Sequence, residues 1–419
     1  MRRLALWLSW LMIFIVPFEY LFEEGALGTL GRLAGIALAG IWLLSALAAG
    51  RMRQPRIIHG LMIGFVIWCA ASILWSLDPE ASRGQVITYL QLLLLALIVW
   101  DLYEEAADLE RALQAYVLGC WVCIATLLHA YVSGDVQRRF TVGLFNENTL
   151  GFTLALGLPM AWHLGTSVLR EAGGAGGRLA LLMRLANFAF IPAAGFSIFL
   201  TASRSSMLSA LLGLGYMGLS IGRVRRGGRL LLFGAAAAGA IYGVSLVPKT
   251  SMERLEQTSV EMSDGDWNGR LPIWNEALRI FSERPLAGVG ISAFSVAAVE
   301  TRAAPHNFAL SLLAELGLIG FALFSGVLIG CVALALRQPH GLPAFWLSML
   351  AVWLLNAATH VYEDKKITWL LFGLIVVGDG LTHATRARRA APLLRVVPAQ
   401  EIAAAARTTA RSPRSGDPR

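Results

Sequence analysis

The chemistry available to this chain lies in a few basic side chains and one histidine. Arg204 occurs in Thr201-Ala202-Ser203-Arg204-Ser205-Ser206, a polar connection between two apolar runs. An arginine at the edge of a membrane is costly and usually faces a cavity with an anionic partner. Here the hydroxyls of Ser203, Ser205 and Ser206 add donors of the kind that phosphate oxygens accept. Arg138-Arg139 with the following Phe145-Asn146-Glu147-Asn148, then Arg270, and Lys365-Lys366 fall in connections on the same side of the chain. Singly, each reads as a solvated loop charge. Together they describe a basic pocket, and the planar fork of arginine grips two phosphate oxygens at once, which suits a diphosphate. The expected diphosphate-binding residues are Arg204, Arg270, Arg138 and Arg139, with Ser203, Asn148, Lys365 and Lys366 around them.

His306 is the candidate for proton transfer. It occurs in Ala304-Pro305-His306-Asn307-Phe308, where an extended stretch meets a long apolar run. Free amides and the dipole at a helix N-terminus favour anions and keep a nearby imidazole neutral, and a neutral imidazole can take a proton. Glu315 lies nine residues on, which at 100° per residue places it on the opposite face of that helix. It reads as an interhelical hydrogen-bonding residue. His129 and His360 fall within apolar runs and read as structural.

Asp264-Gly265-Asp266 reads as a turn. No His, Cys, Asp or Glu cluster has metal-ligand spacing and no phosphate-loop motif occurs, so neither metal nor cofactor is expected. Cys69, Cys120, Cys123 and Cys331 all lie in apolar runs, which fits helix packing and excludes a disulfide framework.

The elements that must position these groups follow from composition. Of 419 residues 56% are hydrophobic and 15% charged, against roughly 45–50% and about 25% in soluble domains. With a mean hydropathy of +0.62 this is an all-α polytopic membrane protein. Twelve apolar runs, near 4–18, 27–49, 57–77, 85–102, 112–132, 149–169, 180–201, 206–222, 229–247, 306–336, 342–361 and 367–384, are each candidates to span a bilayer. The expected organisation is transmembrane helices 1–9 over residues 1–247, one long hydrophilic loop over 248–305 with short amphipathic helices, helices 10–12 over 306–385, and a basic disordered tail over 386–419. Within the loop, residues 268–281 read as an amphipathic helix with Asn268 as a cap and Pro272 in its first turn, ended by Pro285, Gly288 and Gly290.

Most of the 35 basic residues fall at one set of loops, including Arg2-Arg3, Arg51/Arg53/Arg56, Arg223/Arg225/Arg226/Arg229 and the tail. Basic residues in short loops stay on the cytoplasmic side. Both termini are therefore expected in the cytoplasm, with the long loop outside. The formal net charge of +8 is largely this topological arginine and gives no sign of nucleic-acid binding.

The order of motifs resembles the bacterial O-antigen ligase and polymerase family. The run Gly269-Arg270-Leu271-Pro272-Ile273-Trp274 through Glu283-Arg284-Pro285-Leu286-Ala287-Gly288-Val289-Gly290 is similar to that family's, as are Pro305-His306-Asn307-Phe308 and Leu313-Ala314-Glu315-Leu316-Gly317-Leu318-Ile319-Gly320. Upstream, Leu74-Trp75-Ser76-Leu77-Asp78-Pro79-Glu80, Gly143-Leu144-Phe145-Asn146-Glu147-Asn148 and Thr201-Ala202-Ser203-Arg204 match its pattern and order. The family often reads His-Asn-His where this chain has His306-Asn307-Phe308.

The resemblance implies a metal-independent, inverting membrane glycosyltransferase of the GT-C type in the bacterial inner membrane, with its active site on the periplasmic face. It would move a glycan from undecaprenyl diphosphate to an acceptor. For a ligase, that acceptor is a sugar of the lipid A core. Arg204 and Arg270 match the family's functional arginines, and His306 matches its catalytic histidine. The implied partners are the undecaprenyl diphosphate-linked donor, the lipid A-core acceptor and membrane lipids. A polymerase, which differs in its acceptor, and a protein oligosaccharyltransferase share these motifs; a transporter of an anionic lipid or solute is the reading outside catalysis.

Overall fold

Lipid offers no partner to a backbone N–H or C=O, so a chain this apolar must satisfy its own backbone, and helices do so. The computed structural model describes residues 1–21, 30–133, 141, 143, 145–171, 177–224, 226–229, 270–339 and 341–390. Among them there are helices and no strands. The helices are α1 (Arg2–Ile15), α2 (Leu30–Ala49), α3 (Ile57–Ser72), α4 (Pro79–Leu102), α5 (Ala106–Val132), α6 (Glu147–Glu171), α7 (Arg178–Leu200), α8 (Arg204–Ser220), α9 (Arg270–Glu283), α10 (Phe294–Ala297), α11 (Phe308–Leu336), α12 (Leu342–Ala357) and α13 (Lys366–Ala390). Met1–Asp379 forms one compact unit; Gly380–Arg419 forms a second, whose described part is the last turns of α13.

Eight described helical segments are long and apolar enough to cross a membrane. The chain is a multi-pass membrane protein. Three more of the twelve expected runs coincide with α6, α8 and α12, of which α12 has only 16 residues, about 24 Å against a hydrocarbon core of about 30 Å. The run at 229–247 lies outside the described residues.

The caps show why helices start where they do. Asp78 accepts the Ala81 N–H at 3.0 Å with Pro79 in the first turn of α4. Asn307 caps α11, its Oδ1 accepting the N–H groups of Ala309 and Leu310 at 2.9 and 3.1 Å.

Two sets of contacts define the two ends of the larger unit. At one end, Asp101 on α4 accepts from Arg2 (3.2 Å), the Trp42 indole (3.0 Å) and the Arg53 backbone N–H (2.7 Å), while Arg56 pairs with Asp379 at 2.5 Å. At the other, α6, α8, α12 and α11 are tied in sequence. Ser206 donates to the Asn148 carbonyl (3.3 Å), Asn356 donates to Ser209 (2.5 Å) and Asn307 donates to the Ala358 carbonyl (3.1 Å).

α11 is broken at Gly317, where φ is +66°. The backbone groups released by the break are taken up by the segment after α9. Leu318 N–H donates to the Pro285 carbonyl (2.8 Å), while Val289 and Gly290 donate to the carbonyls of Ala314 (3.1 Å) and Glu315 (2.8 Å). A Cβ on Gly317 would run into the Leu286 carbonyl, and one on Gly288 into the Glu315 carbonyl. Two motifs thirty residues apart are thus halves of one backbone junction. That junction locks α9, which carries Arg270, onto the helix that follows His306. The Glu315 carboxylate strengthens it by accepting the N–H groups of Ser292 (2.9 Å) and Phe294 (3.2 Å).

Candidate functional site

Three basic side chains sit where helices begin. Arg204 is the first residue of α8, Arg270 the first of α9, and His306 immediately precedes the Asn307 cap of α11. Each helix offers its positive dipole end and free amides at that point. Two of the approaches use left-handed backbone, with φ of +48° at Ala202 and +49° at His306. The hydroxyls beside Arg204 form a chain, Ser203 Oγ lying 2.9 Å from Ser206 Oγ and 3.4 Å from Ser205 Oγ.

The three groups feel one another. Burial holds the Arg270 guanidinium below its ordinary value, and the charge of Arg204 pushes it further down, with Tyr362 acting in the opposite sense. Burial, then the charge of Arg270, holds the His306 imidazole below its ordinary value. The imidazole is therefore neutral at neutral pH, and the guanidinium stays charged because it titrates so far above it. Among the described residues, none of the charges that shift Arg270 is a carboxylate. This arrangement can receive a polyanion and can take a proton beside it.

The connection between α12 and α13 completes the site. The His360 ring meets the His306 ring edge to face, with centroids 5.8 Å apart, and Tyr362 lies 5.6 Å beyond His360. Thr359 Oγ1 is 3.1 Å from His360 Nδ1. Burial pushes the phenol of Tyr362 up, so it stays protonated. The expectation that His360 lies within an apolar helix is corrected here. α12 ends at Ala357, and the Asn307 bond to Ala358 brings the following residues against the start of α11. The polar cluster Asn356, Thr359 and His360 at the end of that run was the available signal.

Ser203 and Asn148 lie beside Arg204, the first through its hydroxyl chain and the second through its carbonyl bond to Ser206. Lys365 and Lys366 turn elsewhere: Lys365 pairs with Asp364 at 3.2 Å and Lys366 with Glu19 at 2.5 Å. Both line a cavity between α1, α2 and α4. Burial first, then the charge of Asp364, pushes the Glu363 carboxyl up to about 8, so it is neutral. Arg138, Arg139 and Asp264-Gly265-Asp266 lie outside the described residues. Phe308, where the resembling family often has a second histidine, packs its ring against Trp353 at 5.4 Å and Phe324 at 6.2 Å. No group of three or more His, Cys, Asp or Glu side chains among the described residues is placed to hold a metal ion.

A helical chain of this kind, with basic side chains at helix starts beside a neutral imidazole, defines a multi-pass membrane protein with a basic site at one end of its larger unit. Residues 188–325, which include Arg204, Arg270 and His306, match a family described as O-antigen ligase. The exopolysaccharide production protein ExoQ of Rhizobium meliloti (strain 1021) is 26% identical over 324 residues, 71% of this chain and 70% of the relative. Both matches support a likeness to the O-antigen ligase family, whose members act as glycosyl-transfer enzymes in polysaccharide biosynthesis.

Proposed function

We propose that this protein is an O-antigen ligase of the bacterial inner membrane. It transfers O-antigen glycan from undecaprenyl diphosphate to a sugar of the lipid A core on the periplasmic face. The observation that carries the reading is the setting of Arg204, Arg270 and His306 at three helix starts, with the charge of Arg204 felt at Arg270 and that of Arg270 felt at His306. The donor arrives already activated, because its lipid diphosphate is a leaving group. Arg204 and Arg270 grip that diphosphate and stabilise the charge it gains as the glycosidic bond breaks. His306 removes the proton from the acceptor hydroxyl as that oxygen attacks the anomeric carbon from the opposite side, inverting it. His360 and Tyr362 hold the imidazole and the Arg270 side chain in place. Arg138 and Arg139 add to the clamp. The scheme is metal-independent, so transfer is expected to continue in EDTA.

In this reading the chain crosses the membrane twelve times in a GT-C architecture. Both termini are cytoplasmic, and residues 248–305 form a periplasmic loop. A polymerase is the second reading, favoured by the name of the ExoQ relative, an exopolysaccharide production protein. Its acceptor would be a second carrier-linked glycan. Deletion followed by gel analysis of lipopolysaccharide separates the two. Loss of the whole ladder with carrier-linked polymer retained is the ligase result; core plus a single repeat is the polymerase result; an unchanged ladder contradicts both.

A further inference from the structure

The inner face of α9 carries one charge that packing does not ask for. Ile273, Glu276, Ala277 and Ile280 are all buried, and their spacing makes them one stripe along the helix. The apolar members of the stripe join a small core with Phe294 and Ala298, against which Ala303 also packs. Leucine or alanine at position 276 would extend that core. A carboxylate buried there must instead be matched by donors, because an ion taken out of water is costly.

The donors come from the stretch that leads to His306. Glu276 Oε1 accepts the Glu300 N–H at 3.1 Å, and Oε2 accepts the Thr301 N–H at 3.2 Å and the Thr301 hydroxyl at 2.6 Å. Arg279, one turn along α9, lies 3.6 Å from the same carboxylate. Burial pushes the Glu276 carboxyl up, but the bonds from Thr301 and Glu300, with the charge of Arg279, outweigh it and hold the group below its ordinary value. It is therefore ionised at neutral pH.

α9 is joined to α11 without these bonds. The junction of residues 285–290 with 314–318 does that, and the small core adds to it. What the Glu276 carboxylate restrains is the backbone between Ala298 and the Asn307 cap, which runs in turns and bends. Two residues of that stretch, Arg302 and His306, have left-handed backbone with φ of +48° and +49°. Residues with side chains keep such a conformation only where their surroundings over-determine it. Arg302 directly follows Thr301, and its N–H returns to the Ala298 carbonyl at 2.9 Å. The stretch is thus pinned at residues 300–302 to the helix that begins with Arg270, and His306 follows four residues later.

We propose that Glu276 is a positioning residue for proton transfer: by strapping residues 300–301 onto α9 it fixes the His306 imidazole against the Arg270 side chain. The inference deepens the glycosyl-transfer reading above and rests on it. Arg270 faces the imidazole from α9, and His360, with Tyr362 behind it, faces it from the connection between α12 and α13. Without the strap the imidazole moves away from Arg270 and toward water. Both changes raise the pH at which the ring titrates.

The test follows the titration of the His306 ring by nitrogen NMR of the full chain, labelled at histidine and held in nanodiscs, beside the pH profile of transfer. The His306→Ala spectrum assigns the signal. Glu276→Ala is expected to move the ring titration and the acid limb of kcat/KM together to higher pH, and to lower kcat by about 10–100-fold with KM little changed. The shift should be smaller when Arg270→Gln is already present, because part of what the strap holds in place is then gone. Thr301→Val removes one donor and leaves both backbone bonds to Glu276. It should give the same shift at smaller size, and it decides the matter where Glu276→Ala does not fold. A ring titration that stays in place would overturn the inference, as would an equal shift with and without Arg270→Gln. The ring signal requires no activity. Failure of the strap is thereby read apart from failure of the catalytic reading, which would appear as transfer retained in His306→Ala.

Discussion

The two ends of the larger unit use arginine in opposite ways. At the Asp101 end, positive charge is met by negative charge or by carbonyl oxygens. Arg2 reaches Asp101 and Glu104, Arg56 reaches Asp379, and Arg53 donates to the carbonyls of Trp100 (3.2 Å) and Tyr103 (3.1 Å) while stacking over the Trp100 ring. At the His306 end, Arg270 is shifted by another arginine and itself acts on a histidine. The first arrangement is self-sufficient and joins α1, α4 and the α2–α3 connection. In the proposed function the second serves a diphosphate that arrives from outside the fold. Like charges held together in a folded protein cost stability, and such sites are where function tends to sit.

Substitutions that separate the two ends should show that contrast, the largest effect first. His306→Ala is expected to lower turnover by about 10²–10⁴ with normal membrane yield, measured as transfer per purified molecule. Arg270→Ala should cost about 10²–10³ in kcat/KM and leave the melting temperature unchanged or slightly raised, since it removes repulsion from Arg204. Asp101→Ala should give the reverse pattern. Asp101 is 2% exposed and holds three donors, so its loss is expected to destabilise by about 3 kcal/mol, seen as a lower melting temperature with turnover per folded molecule kept.

The smallest effect is on pH dependence. His306 is held below the usual histidine value of about 6.5, and its neutral form is the active one. Transfer should therefore persist through neutral pH and fall on acidification only below that value. Arg270→Gln removes the smaller of the two causes of that depression, so the acid limb of kcat/KM should move to higher pH without reaching the ordinary value, because burial remains. A limb that stays in place would detach Arg270 from His306.

Most of the helices could be read from the sequence because a membrane imposes one signal, a long apolar run, and the boundaries found differ from the expected ones by a few residues. Arg204, Arg270 and His306 stand out in the sequence as well, because a charged or titratable group beside an apolar run has few structural roles; the structure adds that each sits at a helix start. The breaks could not. Gly317 lies inside the run expected as one helix, and its left-handed backbone depends on carbonyls of Pro285 and Leu286 that sequence spacing does not reveal. His360 was hidden for a related reason: in the run through residue 361 the one sign that its last turn unwinds is the polar cluster Asn356, Thr359 and His360. Lys365 and Lys366 carry the same charge as the site arginines, and only their partners, Asp364 and Glu19, assign them to a different cavity.

The central claim is that Arg204 and Arg270 together bind a lipid diphosphate. The most direct test is the affinity of purified protein in nanodiscs for undecaprenyl diphosphate, wild type beside the Arg204→Ala/Arg270→Ala double variant, with Asp101→Ala as the control from the other end. Loss of most of the affinity in the double variant, with the control close to wild type, is the predicted result. Equal affinity in the double variant and the wild type would contradict it.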